Sequence, residues 1–186
     1  MRVFVVTPPA PVVTLEEAKA HLKRDGDDDD ALITAYVAAA TGHIDGPDGW
    51  LGRAIGVQIL EARFGGSCGD TVRLPFPPFI ELVSVSYHDT GGVEQMADLA
   101  DFDAFGSDLA PVASAWPWAS GSARRDGIRI RYRAGYETLP PAIRAAILLM
   151  TGDLYRNRDT TAAAGAVAIP MSTTVANLLA PFRVFA

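Results

Sequence analysis

The chain has 186 residues, 49% of them apolar and 20% charged, with a formal net charge of −6. That is enough length and apolar surface for one packed domain, and the acidic balance disfavours non-specific binding to duplex phosphates. One cysteine, Cys68, excludes an intrachain disulfide, and no apolar run reaches the ~18 residues of a membrane span.

In chain order, the apolar start Met1–Val6 stops at Pro8-Pro9, too short for a signal peptide, so the chain is expected to be made and used in a cytoplasm. Pro8, Pro9 and Pro11 keep the first dozen residues extended. Thr14-Leu15-Glu16-Glu17 is a capping box, which predicts a helix with Leu15, Ala18 and Leu22 on one face, ending near Asp25-Gly26. A second helix is predicted to start in Asp27-Asp28-Asp29-Asp30, where acids oppose the helix dipole, with Leu32, Tyr36, Val37, Ala40 and Ile44 as its apolar stripe. Consecutive carboxylates at a helix start fan outward, so the run reads as capping and a solvated face rather than a cation site.

The period then changes. Ile55–Phe64, Thr71–Leu74, Leu82–Tyr87 and Val93–Ala97 read as strands, with Asp89-Thr90-Gly91-Gly92 as a hairpin turn. Weaker strand signals fall at Phe102–Phe105 and Val112–Ala115. Ile128-Arg129-Ile130-Arg131-Tyr132-Arg133 alternates without exception and places Arg129, Arg131 and Arg133 on one face. Pro140-Pro141 opens a third helix with Ile143, Ala146, Ile147, Met150, Leu154 and Tyr155 on its apolar face. Thr160–Thr174 reads as a flexible loop, and an apolar piece from Val175 to Phe185 closes the chain. The fold class expected is α+β in a single domain, residues 1–186. N- and C-terminal helices (about 13–46 and 138–186) pack as a small bundle, with an antiparallel β region inserted at about 53–136.

No motif announces chemistry. His21, His43 and His88 have no metal-ligand spacing around them, no phosphate loop or nucleophile elbow is present, and Asp45-Gly46-Pro47-Asp48-Gly49 lacks the ligands of a calcium loop. No catalytic residue, cofactor or metal is therefore assigned. The arginine stripe reads as an exposed face, as a partner-facing surface or as a nucleic-acid contact. Trp116-Pro117-Trp118 reads either as an interface anchor or as core packing.

Several segments taken together resemble a known family. They are Val13–Lys19 with the acidic turn, Leu74-Pro75-Phe76-Pro77-Pro78, Val83–Asp89 with Gly91-Gly92, Ile128–Tyr136, Pro140–Leu149 and Leu178–Arg183. Their order is similar to that of the head–tail connector (head-completion adaptor) proteins of tailed phages and of phage-derived gene transfer agents. The resemblance covers nearly the whole chain and implies a structural protein, not an enzyme. It implies a homo-oligomeric ring, commonly a dodecamer, in the neck of a virion or phage-like particle assembled in a bacterial cytoplasm. The implied partners are the portal protein and the next tail component, a stopper or terminator. Double-stranded DNA would pass through the channel unbound, and no membrane is involved. A tail-terminator or stopper ring is the nearest alternative, and an unrecognised small enzyme the more distant one.

Two sets of site residues follow as expectations. Leu178, Leu179, Phe182, Arg183 and Phe185 are assigned to portal binding, with docking onto the chain's own helices as the competing reading. Asp28, Asp29 and Asp30 are expected to face Arg129, Arg131 and Arg133 across subunits, because a closed ring needs two different complementary patches on each copy.

Overall fold

The computed structural model describes residues 1–66, 69–113, 115–118, 124–157 and 171–184. The elements run β1 (Arg2–Thr7), α1 (Leu15–Leu22), α2 (Asp30–Ile44), β2 (Gln58–Phe64), β3 (Val72–Arg73), β4 (Phe79–His88) and β5 (Glu94–Met96). A 3-10 turn at Leu99–Asp101 leads into β6 (Phe102–Phe105), followed by β7 (Asp108–Pro111), β8 (Ile128–Ala134), α3 (Pro141–Arg156) and α4 (Thr173–Leu179). The expected α+β architecture is what the chain adopts: helices from both chain ends pack together, with antiparallel sheet between them in sequence.

The helical half starts where the capping box places it. The Glu17 amide donates to Thr14 Oγ1 at 3.2 Å and the Thr14 amide to Glu17 Oε2 at 2.9 Å. Glu17 also pairs with Arg144 of α3 at 2.5 Å, so one carboxylate caps α1 and ties it to the other end of the chain. α1 ends earlier than expected, at Lys23, which adopts the left-handed conformation and bonds back to Ala20. The buried stripe of α2 is Ile33, Val37, Ala40 and Ile44, rotated from the stripe read in the sequence. Ile33 takes the interior place, and Leu32 and Tyr36 stand half-buried at its edge. These side chains, with Val13, Ile143, Ala146, Ile147, Val175 and Leu179, form an aliphatic core drawn from both ends of the chain.

The β half is a five-stranded antiparallel sheet in the order β1-β2-β8-β4-β5, covered by a three-stranded sheet β3-β7-β6. The extended arm expected at the N-terminus is thus a strand, β1, paired with β2 through Val3↔Ala62 and Val5↔Leu60. β4 is longer than the sequence signal. A register shift between Leu82 and Ser84 breaks its alternation, which sends Leu82 to the core and leaves Val83 39% exposed. The weak strand signal at Val112–Ala115 lies just beyond the observed strand β7.

Between the sheets lies an aromatic core. Trp116 and Trp118 stack at 4.8 Å between ring centres, with Phe102 5.8 Å from Trp118, and both indoles are buried. Of the two readings of Trp116-Pro117-Trp118, the structure selects core packing. Tyr132, also buried, donates its hydroxyl to the Pro75 carbonyl at 2.6 Å, and burial pushes its phenol pKa up.

Asp45, at the end of α2, joins the halves. Its Oδ1 accepts from the Ile55 amide at 2.6 Å and from Gln58 Nε2 at 2.9 Å. Burial raises its pKa, outweighing these bonds. Gly135 permits close approach at the same joint. With φ +124°, a Cβ there would lie 2.2 Å from the Gly56 carbonyl oxygen.

Candidate functional site

The alternation of β8 does what its spacing requires: Ile128, Ile130, Tyr132 and Ala134 enter the core, and Arg129, Arg131 and Arg133 line the opposite face. That face is an ion-pair lattice. Glu61, directly opposite Arg131 in register, is 2% exposed and receives Arg131 Nε and Arg63 Nε, each at 2.5 Å. Burial pushes the Glu61 carboxyl up, but the hydrogen bonds of Arg131 and Arg63 outweigh it, so its pKa is held below the ordinary value. Arg133 reaches Glu81 at 2.6 Å, and Arg129 reaches Glu94 at 3.5 Å. The Arg63 guanidinium also covers the Phe4 ring, 4.7 Å from its centre.

The acidic run has its own partners in the helical half. Lys19, nearly buried on α1, contacts Asp27 and Asp30, each at 2.8 Å, and both contacts raise the lysine pKa. Asp29 accepts a hydrogen bond from the Tyr155 hydroxyl, and Arg24 lies over the Tyr155 ring at 5.3 Å. Asp28 is exposed. The carboxylates therefore do not simply fan into water: they staple the α1–α2 turn to α1 and α3. Within one chain, the structure brings neither Asp28, Asp29 nor Asp30 to the arginine stripe. Each set is engaged locally.

The C-terminal segment is docked on the chain's own helices. Leu179 is fully buried in the helical core, while Leu178 and Phe182 are partly buried against it. Arg183 lies over the Trp50 ring at 4.2 Å, Arg53 Nε donates to the Phe182 carbonyl, and the Val184 amide donates to Leu51 at 2.9 Å. Gly52, with φ +63°, lets this strap approach, since a Cβ there would meet the Val184 oxygen at 2.7 Å. Part of the predicted loop, 171–174, is ordered as the start of α4, with Ser172 capping it through the Val175 amide. Phe185, residues 160–170 of that loop and Cys68 lie outside the described residues.

No group of three or more His, Cys, Asp or Glu side chains is placed to hold a metal among the described residues. His88 is buried, with Nδ1 3.3 Å from the Gly127 carbonyl, a packing position at a strand end. What sequence reasoning missed lies at the edges of the β half. Phe105 is 89% exposed and Met96 67% exposed, and a cleft of about 700 Å³ beside β1 is lined by Arg2, Arg63, Arg124 and Arg125. The Arg124-Arg125 pair was visible in the sequence, but its convergence with Arg2 depends on which strands pair.

The described residues thus combine an ion-paired sheet face with exposed apolar side chains at the sheet edges of an α+β domain. Residues 12–98 match the family of phage gp6-like head-tail connector proteins. The whole chain is similar in structure to a chain in the neck of an empty GTA particle computed with C6 symmetry. The TM-score is 0.76 at 21% identity, covering 100% of this chain and 97% of that one. It is similar to a chain in the virion of a native gene transfer agent (GTA) particle, with TM-score 0.76 at 22% identity and the same coverage of both chains. A third likeness is to a chain in the neck of a native GTA particle computed with C12 symmetry, with TM-score 0.75 at 21% identity, again over 100% and 97%. At these identities the likeness establishes the fold. No curated protein matches the chain.

Proposed function

We propose that this protein is a ring-forming adaptor in the neck of a phage-like particle, of the gene transfer agent kind. It sits between the portal and the next tail component and extends the channel through which DNA passes. The observation that carries this reading is coverage. A connector family accounts for residues 12–98, and the fold of chains from GTA particles, two of them from the neck, extends over the entire chain. The acidic balance of −6 fits a channel wall that passes duplex DNA without holding it.

The portal would meet the C-terminal segment. Leu179 already serves the chain's own core, so the portal contact falls to Leu178, Phe182 and Arg183, which keep exposed surface, and to Phe185 beyond them. The lattice at Arg129, Arg131 and Arg133 would serve a neighbouring subunit only by exchanging or sharing its present carboxylate partners. The decisive experiment deletes the gene in a particle-producing strain. DNA-filled heads without tails, rescued by the gene in trans, are expected. Normal particles lacking this protein would refute the assignment, and heads already carrying an adaptor ring would make the chain a stopper or terminator instead.

A further inference from the structure

The five-stranded sheet ends in two open edges, β1 on one side and β5 on the other. Both ends expose apolar side chains, and they carry opposite charge. At the β1 end, Met1, Phe4, Val5 and Val6 are exposed. Beside them, the cleft sets Arg2, Arg63, Arg124 and Arg125 against a single acid, Asp126. Arg63 and Arg124 are engaged with Glu61 and Asp126, whereas Arg2 and Arg125 have no acidic partner among the described residues.

At the opposite edge lies β5, and the chain runs on from it through the 3-10 turn into β6 of the second sheet. Residues 93–112 hold five acids and no Lys or Arg. Glu94 and Asp108 are spent on Arg129 and Arg73, while Asp98, Asp101 and Asp103 are exposed and have no basic partner among the described residues. Val93, Met96, Leu99, Phe105 and Val112 of the same stretch are exposed. The Val112 amide donates to the Asp101 carbonyl at 2.8 Å, so two of these positions are held side by side.

We propose that these two ends bind each other between copies of the chain. The β1 edge of one copy docks on the Val93–Phe105 side of the next, Arg2 and Arg125 meet Asp101 and Asp103, and the exposed apolar side chains fill the seam. This rests on the adaptor reading and names the surfaces that close its ring. An open strand edge and an exposed apolar patch both call for a partner. Because the two patches are different surfaces, one at the β1 edge of the five-stranded sheet and the other running from β5 at its opposite edge onto β6 of the second sheet, repeating the contact is heterologous and propagates around an axis. Self-pairing of either end would set Arg against Arg or Asp against Asp, which disfavours a two-fold dimer. Four arginines could also receive duplex phosphates, but DNA would leave the acidic, apolar end without an occupant.

The test uses intact particles and three variants: Arg2→Glu with Arg125→Glu, Asp101→Arg with Asp103→Arg, and all four together. The readout is the amount of this protein per capsid, by quantitative mass spectrometry. Each double reversal is expected to lower incorporation about tenfold or more, and the fourfold variant to recover most of it. All four positions are exposed, and circular dichroism checks the fold. Should a reversal misfold, Arg125→Gln and Asp101→Asn replace it, each with an expected loss of about threefold. Undiminished incorporation of either double reversal overturns the proposal, as does a folded fourfold variant that stays excluded. Loss of duplex binding in the arginine variant with normal incorporation would give the cleft to DNA and overturn it too. Failure of the adaptor reading shows differently, as absence of the wild-type protein itself from particles, and would take this contact down with it.

Discussion

The helical half and the β half solve the same problem, joining distant stretches of chain, in different ways. The helical half is closed upon itself. Its core is aliphatic, and the ion pairs Lys19–Asp27, Lys19–Asp30 and Arg144–Glu17 all link one of its helices to another or to a turn beside it. The β half seals its interior with Trp116, Trp118, Phe102 and Tyr132, yet among the described residues leaves Arg2 and Arg125 without an acidic partner at one edge, and Asp98, Asp101 and Asp103 without a basic one beside exposed apolar side chains at the other. Satisfied surfaces have little to gain from a partner, and unsatisfied ones do. The proposed contact between copies accordingly uses the β half, and the proposed portal contact the C-terminal segment on the helical half.

Substitutions can break that contrast. The largest effect is expected from Trp118→Ala, which removes the indole that stacks on Trp116 and Phe102 and should cost about 3–5 kcal/mol in urea unfolding. Ile147→Ala in the helical core should cost about 2–5 kcal/mol. If the halves are one cooperative unit through Asp45, both variants will shift a single transition. Two separate transitions would show the halves to be independent.

Arg131→Glu is next in size. It sets a like charge against buried Glu61 and should lose about 2 kcal/mol, allowing for the half-exposure of the arginine. Reversal of Arg131 therefore tests stability before it tests ring assembly. A Tm equal to that of the wild type would show the lattice to be dispensable.

Smaller still is Thr14→Ala, which removes the hydroxyl half of the capping box and should cost about 1 kcal/mol. Finally, pH sharpens the contrast between Glu61 and Asp45. Glu61 is depressed in the folded state, so its stabilisation is present above its ordinary value of 4.5 and is lost as pH falls through the folded value. Asp45 is raised, so between its ordinary value of 3.8 and its folded value it works in the opposite sense, stability falling as pH rises. Denaturation midpoints followed from pH 6 to pH 3 should therefore show a shallower acid loss in Glu61→Gln and a steeper one in Asp45→Asn. The same slope in all three proteins would mean that other carboxylates govern acid unfolding.

Local chemistry was enough for the sequence to determine the α1 start, the hairpin turn at Asp89, the alternation of β8, the α3 start at Pro141 and the α+β class, because capping boxes, turn residues and two-residue periods act over a few neighbours. The order of the connector-like segments likewise pointed to the family. Only the tertiary structure decided that the first strand joins the sheet, that Asp27 and Asp30 answer to Lys19, that Glu61 is buried between two arginines, and that the C-terminal segment lies on its own helices. Each of these pairs residues far apart along the chain or across a turn whose direction no local pattern specifies. The same holds for the edges: Arg2 and Arg125 share a cleft only because β1 and β8 flank β2, and that strand order is a property of the folded sheet.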